Sequence, residues 1–277
     1  MRQFESFLSG NASGGTGDPP VLAGNLPAKS QRHQGFTLIE LLVVMAIVAL
    51  LAAILLPALS RAKSRAKAIQ CVSNQRQMGI AAQIYTGDNG DSYPFAYYTD
   101  TNYTSICWDF TTYSDGHVLP GLLWQGQTNP QIQQCPSFAG PANWSDDPFT
   151  GYNYNTSYIG HGQGESQSAP NQEAPPVPAK SSIVRHPAKT VIFGDGQYSG
   201  GSDKFMRAPF PNPGDAGFQS GRYAGTQGFR HNGRTNTGFC DGHAESLSLC
   251  CTNYAESTPL APGTGFLSTD NSLYDLN

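Results

Sequence analysis

The spacing of polar and apolar positions changes character three times along the chain. Residues 1–30 include NASGGTGDPP and keep no period, so they read either as a disordered leader or as residues upstream of the true start. Residues 36–59 read FTLIELLVVMAIVALLAAILLPAL, with Glu40 the single charge between Leu38 and Leu59. At about 1.5 Å per residue the 22 residues from Leu38 to Leu59 make a helix about 33 Å long, enough for a hydrocarbon core about 30 Å thick. A helix buried in a globular core is rarely apolar on every face for this length. The pattern therefore predicts a membrane span over 36–59.

The helical pattern continues through SRAKSRAKAIQCVSNQRQM without a Gly or Pro until Gly79, but it becomes amphipathic. At 100° per residue, Ile69, Val72, Gly79, Ile80 and Ile84 share one side, and Cys71, Met78, Ala82 and Tyr85 lie near the opposite one. Two apolar faces predict two partners: the protein's own sheet for one stripe, a neighbouring subunit or an overlying loop for the other. Gly87, Asn89 and Gly90 supply turn chemistry that ends the helix near residue 87. Beyond Tyr93 short aromatic or β-branched runs alternate with turn clusters, which predicts a head of strands and loops over 88–277. Within it, 162–180 reads as an exposed Pro/Gly loop and 190–195 (TVIFGD) as a strand. Turns at Asn232-Gly233 and Asp241-Gly242 predict a three-stranded meander. The fold class expected is α+β, a long N-terminal helix packed by its second half on an antiparallel sheet.

Composition narrows the function classes. Charged residues are only 13% of the chain while Gly, Pro and Tyr are plentiful, which suits an exported, loop-rich domain. After Tyr85 there are 8 Lys/Arg against 17 Asp/Glu, a balance near −9, so no nucleic-acid partner is expected. The clustered cations are Arg61, Lys63, Arg65 and Lys67, directly after the apolar run, where they face lipid headgroups or acidic neighbours, or simply form a solvated helix face. No G-x-S-x-G, H-E-x-x-H or P-loop is present, and the protein is not expected to be an enzyme. The six cysteines, Cys71, Cys107, Cys135, Cys240, Cys250 and Cys251, contain no C-x-x-C pair, which argues against a zinc ribbon or thioredoxin-like site. Six cysteines permit many disulfide connectivities. The expected pairs are Cys71 with Cys135, joining helix to head, and Cys107 with Cys240, Cys250 or Cys251.

The segment QRHQGFTLIELLVVMAIVALLAAILLPALSRAK resembles the prepilin signal of type IV pilins and type II secretion pseudopilins. The resemblance implies a leader over 1–35, cleavage between Gly35 and Phe36 by a prepilin peptidase that also N-methylates Phe36, and assembly roles for Glu40 and Pro57. A carboxylate in hydrocarbon needs a partner, and the amine created at Phe36 offers one, in the same subunit or in a neighbour. Flanking charge alone, Lys29 and Arg32 before the span against four cations after it, favours the opposite orientation. The leader motif instead places its cleavage site on the cytoplasmic side.

Two further stretches are similar to a group of prepilin-like proteins with an H-X9-DG segment near the C-terminus: CVSNQRQMGIAAQIYTGDNGDSYP at 71–94, and RHNGRTNTGFCDGH, where His231 precedes Asp241-Gly242. Cys135-Pro136-Ser137 and the strand ending at Asp195 fit the same pattern. Asp195, His231, Asp241 and His243 are candidate cation ligands, with calcium the cofactor considered and none the expectation. His231 and Asp241 are more simply turn-capping groups.

These features predict a structural subunit of a type II secretion or type IV pilus-like filament. It would sit in the inner membrane by one span, with its head outside the cytoplasm and other pilin-like subunits as partners. The alternative is a membrane-anchored exported protein that binds carbohydrate or a secreted substrate through its aromatics, and behind it an anchored hydrolase.

Overall fold

A computed structural model describes residues 35–127, 130–142, 147–162, 177–199, 201–211 and 221–277. All of the expected leader except Gly35, and most of the 162–180 loop, lie outside these residues. The chain divides into two units, residues 1–52 and 53–277, and helix α1 (Leu38–Asp88) contributes to both. In the first unit the described side chains are nearly all exposed, and the helix is long and apolar enough to cross a membrane by length and composition.

In the second unit α1 continues through Pro57, whose ring nitrogen has no hydrogen to donate to the preceding turn. Its buried positions are Cys71, Asn74, Gln75, Met78, Gly79, Ala82 and Thr86, a stripe at steps of three and four. Of the two predicted faces, the Cys71–Met78–Ala82 side packs inward. Ile69, Ile80 and Ile84 stay 71%, 48% and 58% exposed. Gly79, expected with the isoleucines, lies at the edge of the buried stripe. The helix stops where Gly90 and Asp91 turn left-handed (φ +62° and +71°), and Asn89 donates from its backbone and its amide to the Tyr85 carbonyl.

The head carries a four-stranded antiparallel sheet in sequential order, β1 (Tyr97–Thr99), β2 (Ser105–Cys107), β3 (Phe110–Thr112) and β4 (Val118–Pro120). After the short helix α2 (Pro130–Gln133) come β5 (Asn153–Asn155), β6 (Val191–Gly194), β7 (Phe205–Met206), β8 (Gln227–Gly228), β9 (Thr235–Phe239), β10 (Ala244–Leu247) and β11 (Thr264–Gly265). Five of these form a central sheet in the order β10-β9-β6-β5-β7, antiparallel except for the parallel β5/β7 edge. The expected antiparallel sheet is thus a mixed one.

The predicted meander is half present. Asp241-Gly242 does join β9 to β10, but the residues before Asn232-Gly233 form β8, which pairs with β11 instead of β9. The other neighbour of β9 is β6, which comes some forty residues earlier in sequence. Turn signals report where the chain reverses, whereas the choice of partner depends on which strand offers a complementary buried edge.

One core cluster joins Met78 and Ala82 of α1 to Trp108, Tyr154 and Phe193, whose ring centroids stand 5.3–5.6 Å apart. Another gathers Val191, Met206, Phe239, Phe266, Leu267 and Tyr274. The central strands β5, β6 and β9 are buried at every residue because core lies on both sides.

Candidate functional site

At the N-terminus, Gly35 and Phe36 precede the helix and are exposed. The first helical turn is closed by a reciprocal pair. Thr37 donates from its backbone N–H (2.9 Å) and its hydroxyl (2.7 Å) to Glu40 Oε2, and the Glu40 N–H donates to Thr37 Oγ1 at 3.3 Å. This is a capping box, and its signal, Thr followed three residues later by Glu at the start of an apolar run, was present in TLIE. Thr37 is the functional residue the sequence reading passed over. Glu40 is held by a local partner before any new amine exists.

The head places a second group of functional side chains together. Cys71 lies on the buried stripe of α1, Cys135 follows α2, Asp195 follows the last residue of β6, and His231 opens the turn before β9. That turn is tight: His231 and Arg234 exchange backbone hydrogen bonds at 3.0 and 3.2 Å around Asn232 and Gly233, both left-handed. Cys71 Sγ donates to Asp195 Oδ1 at 2.9 Å and stands 3.9 Å from Cys135 Sγ, while His231 Nε2 lies 3.1 Å from Asp195 Oδ2. The four donor atoms are all within 4.8 Å of one another, and none of the four residues is more than 2% exposed.

A shell of donors surrounds them. Arg230 donates from Nε to Cys135 Sγ at 3.4 Å, brings its guanidinium 3.4 Å from Asp195 Oδ1, and bonds the Gly151 carbonyl. The Asn236 N–H donates to Asp195 Oδ2 at 2.7 Å, and Gln75 spans Asn236 O (2.8 Å) and Asp195 Oδ1 (3.4 Å).

These contacts set the charges. Burial works to raise the Asp195 carboxyl, but Arg230 and His231 hold it below its ordinary value. Burial and the neighbouring Cys135 and Asp195 push the Cys71 thiol up. Cys135 is pulled down by its contact with Cys71, helped by His231 and Arg230 against burial. His231, despite burial, rises to about 9 through Asp195 and Cys135. The group therefore combines two thiol sulfurs, a carboxylate and an imidazole beside one fixed cation.

Two of the four expected cation ligands, Asp195 and His231, do meet, and Asp241 and His243 do not join them. Asp241 accepts from the His243 N–H at 3.1 Å and pairs with its Nδ1, and the His243 ring stacks on Phe239 with centroids 4.3 Å apart. Asp241 is the turn cap, as its simpler reading held, whereas His231 is drawn into the interior. The expected disulfides are absent: all six cysteines are free. Cys71 and Cys135 are neighbours far beyond the S–S bond length of about 2.05 Å. Cys107 contacts Ser105 (3.8 Å), Cys240 hydrogen-bonds Tyr93, and Cys250 faces the Thr264 carbonyl (3.6 Å). Cys107 ends β2 and Cys240 follows β9, a strand of the other sheet, and both are free thiols.

The H-X9-DG segment is not one hairpin. It is a turn, the buried strand β9 and a second turn, with each end anchored separately. His231 reaches Asp195 at one end. At the other, Gly242 is left-handed (φ +88°) and its Cα faces Gly79 so closely that a Cβ there would stand 3.2 Å away. The nine-residue spacing is the length of one buried strand plus its flanking turns.

A family model described as the prokaryotic N-terminal methylation motif matches residues 30–56. Nothing among curated proteins or among solved structures matches the chain. The motif and the apolar helix it runs into support a prepilin-like protein, a precursor of the type IV pilin or pseudopilin kind.

Proposed function

We propose that the chain is a structural, non-enzymatic subunit of a type II secretion pseudopilus or type IV pilus-like filament. Prepilin peptidase cuts between Gly35 and Phe36 and methylates the new amine. Residues 36–59 then anchor the chain in the inner membrane by a single span, 60–87 connect, and 88–277 form a head outside the cytoplasm. Assembly with other pilin-like subunits runs through the helices.

The observation that carries this reading is the match of residues 30–56 to the methylation motif directly ahead of an apolar helix with no buried face in its span. The Thr37–Glu40 box supports it. Cleavage leaves the Phe36 amine one residue before the cap, where it becomes a cationic partner for a carboxylate that hydrocarbon would otherwise leave poorly solvated. The carbohydrate-binding alternative needs an exposed aromatic cluster, and Trp108, Tyr154 and Phe193 are instead buried against one another.

The test is mass spectrometry of the N-terminus in membrane fractions from cells with and without prepilin peptidase. A chain beginning at N-methyl-Phe36 only when the peptidase is present is the expected result. An uncut leader, or cleavage elsewhere in both strains, would overturn the proposal.

A further inference from the structure

We propose that Cys71, Cys135, Asp195 and His231 bind one zinc ion, a closed structural site that ties helix α1 to the sheet of the head. The donor set decides the metal. Calcium takes six to eight oxygen ligands, and this cluster offers a single carboxylate beside two sulfurs and an imidazole. Thiolate and imidazole donors at four-fold coordination suit zinc.

The spacing fits as well. Two sulfurs at about 2.3 Å from a zinc, separated by the tetrahedral angle, stand about 3.8 Å apart, and the Cys71 and Cys135 sulfurs are 3.9 Å apart. Both His231 ring nitrogens are buried without an aligned hydrogen bond, even though Nε2 lies near Asp195. A ring nitrogen held in the interior beside two sulfurs and a carboxylate becomes a ligand once its proton leaves.

Charge closes the case. Two thiolates, one carboxylate and a neutral imidazole around Zn²⁺ carry −1, and Arg230, already in contact with Cys135 and Asp195, brings the total to zero. A buried cluster of this size is tolerable when its charges cancel. Binding releases the Cys71 thiol proton and the proton on the ligating His231 nitrogen to solvent, with no change of oxidation state. Arg230, Gln75 and the Asn236 N–H then orient the ligands from outside the shell. Because each ligand is at most 2% exposed, no position is left for a substrate. The ligands come from four separate segments, so the ion would cross-link elements that the chain joins only through long connections.

The experiment uses the full chain, purified in detergent under non-reducing conditions and without added chelator. Its metal is measured by plasma mass spectrometry and its thiols by mass-resolved alkylation. The expected result is about one zinc per chain, retained in Cys250→Ser and lost in Cys71→Ser, Cys135→Ser and Asp195→Asn. Some of these variants could fail to fold, so the unmodified chain is also stripped and reloaded with Co²⁺. Tetrahedral d–d bands with a thiolate-to-cobalt charge-transfer band are expected, together with a melting temperature that falls on stripping and returns with Zn²⁺ but not with Ca²⁺. A stripped chain that takes up neither ion, zinc retained by the Cys71→Ser, Cys135→Ser double variant, or a Cys71–Cys135 disulfide in the purified protein would each overturn the site.

Discussion

Asp203 and Lys204 are adjacent residues with buried charge-bearing side chains and opposite situations. Lys204 Nζ lies 3.2 Å from Asp109 Oδ1, 3.0 Å from Asp147 Oδ1 and 3.5 Å from the Phe110 ring centroid, so its charge is matched where it sits. Asp203 accepts from the Phe205 N–H at 3.1 Å through one oxygen and keeps the other buried without a hydrogen-bond partner. Burial pushes its carboxyl up to about 8, although Arg207 and the backbone donors pull the other way. A carboxyl raised in the folded state binds a proton that the unfolded chain has already released. The fold therefore loses stability as pH rises from about 4 to about 8, by up to about 1.4 kcal/mol per pH unit from this group. Asp203→Asn keeps the acceptor for Phe205 and removes the titration. Urea denaturation of the detergent-solubilised chain between pH 5 and 8 should show a flatter profile for the variant and greater stability at pH 8. An equal loss at both ends of that range would mean the carboxyl is ionised in the fold.

Helix α1 shows at the scale of an element how one periodic pattern serves two surroundings. Its Cys71–Met78–Ala82 stripe is interior to the head, and its Ile69–Ile80–Ile84 stripe is not. Met78 is wholly buried, so Met78→Ala should cost about 2–5 kcal/mol through lost burial and the cavity left behind. Ile80→Ser, on the open face, should change head stability by no more than about 0.5 kcal/mol. The same solubilised chain in a urea titration compares the two, and similar losses would show that the isoleucine face is also covered. If the outer stripe is the filament face, Ile80→Ser should lower filament yield from cells while leaving the amount of folded subunit unchanged. The two turns around β9 carry a related lesson. Each was legible as Asn-Gly or Asp-Gly, yet one closes a hairpin and the other merely turns His231 inward.

Across the whole molecule, the anchor is set by a sum of small transfer terms. Leu, Ile and Val each contribute about −0.3 to −0.6 kcal/mol near the membrane centre, and a central Arg costs about +2.5 to +3.5. Residues 38–59 hold enough of the former to absorb one Arg and not two. Val48→Arg should leave the chain in the carbonate-resistant membrane fraction, and Met45→Arg with Val48→Arg should move a large share out of it. Extraction of the single variant would show that the span is weaker than its composition implies. Sequence alone determined this part of the protein: the apolar span, the methylation motif over residues 30–56 and the Glu40 position are local patterns, and helix formation and membrane transfer read local patterns. It also placed the end of α1 and the strand at 190–195, since turn residues and short apolar runs act over a few positions. Tertiary structure alone decided the rest. β9, TNTGF, has no apolar alternation and is buried throughout because polar groups such as Gln75 and Asp195 meet its backbone. Cys71 and Cys135 joined Asp195 and His231, while Asp241 and His243 stayed at a turn, because that grouping depends on which strand lies beside which. Strand order is settled by burial summed over the whole head, a quantity no short stretch of sequence contains.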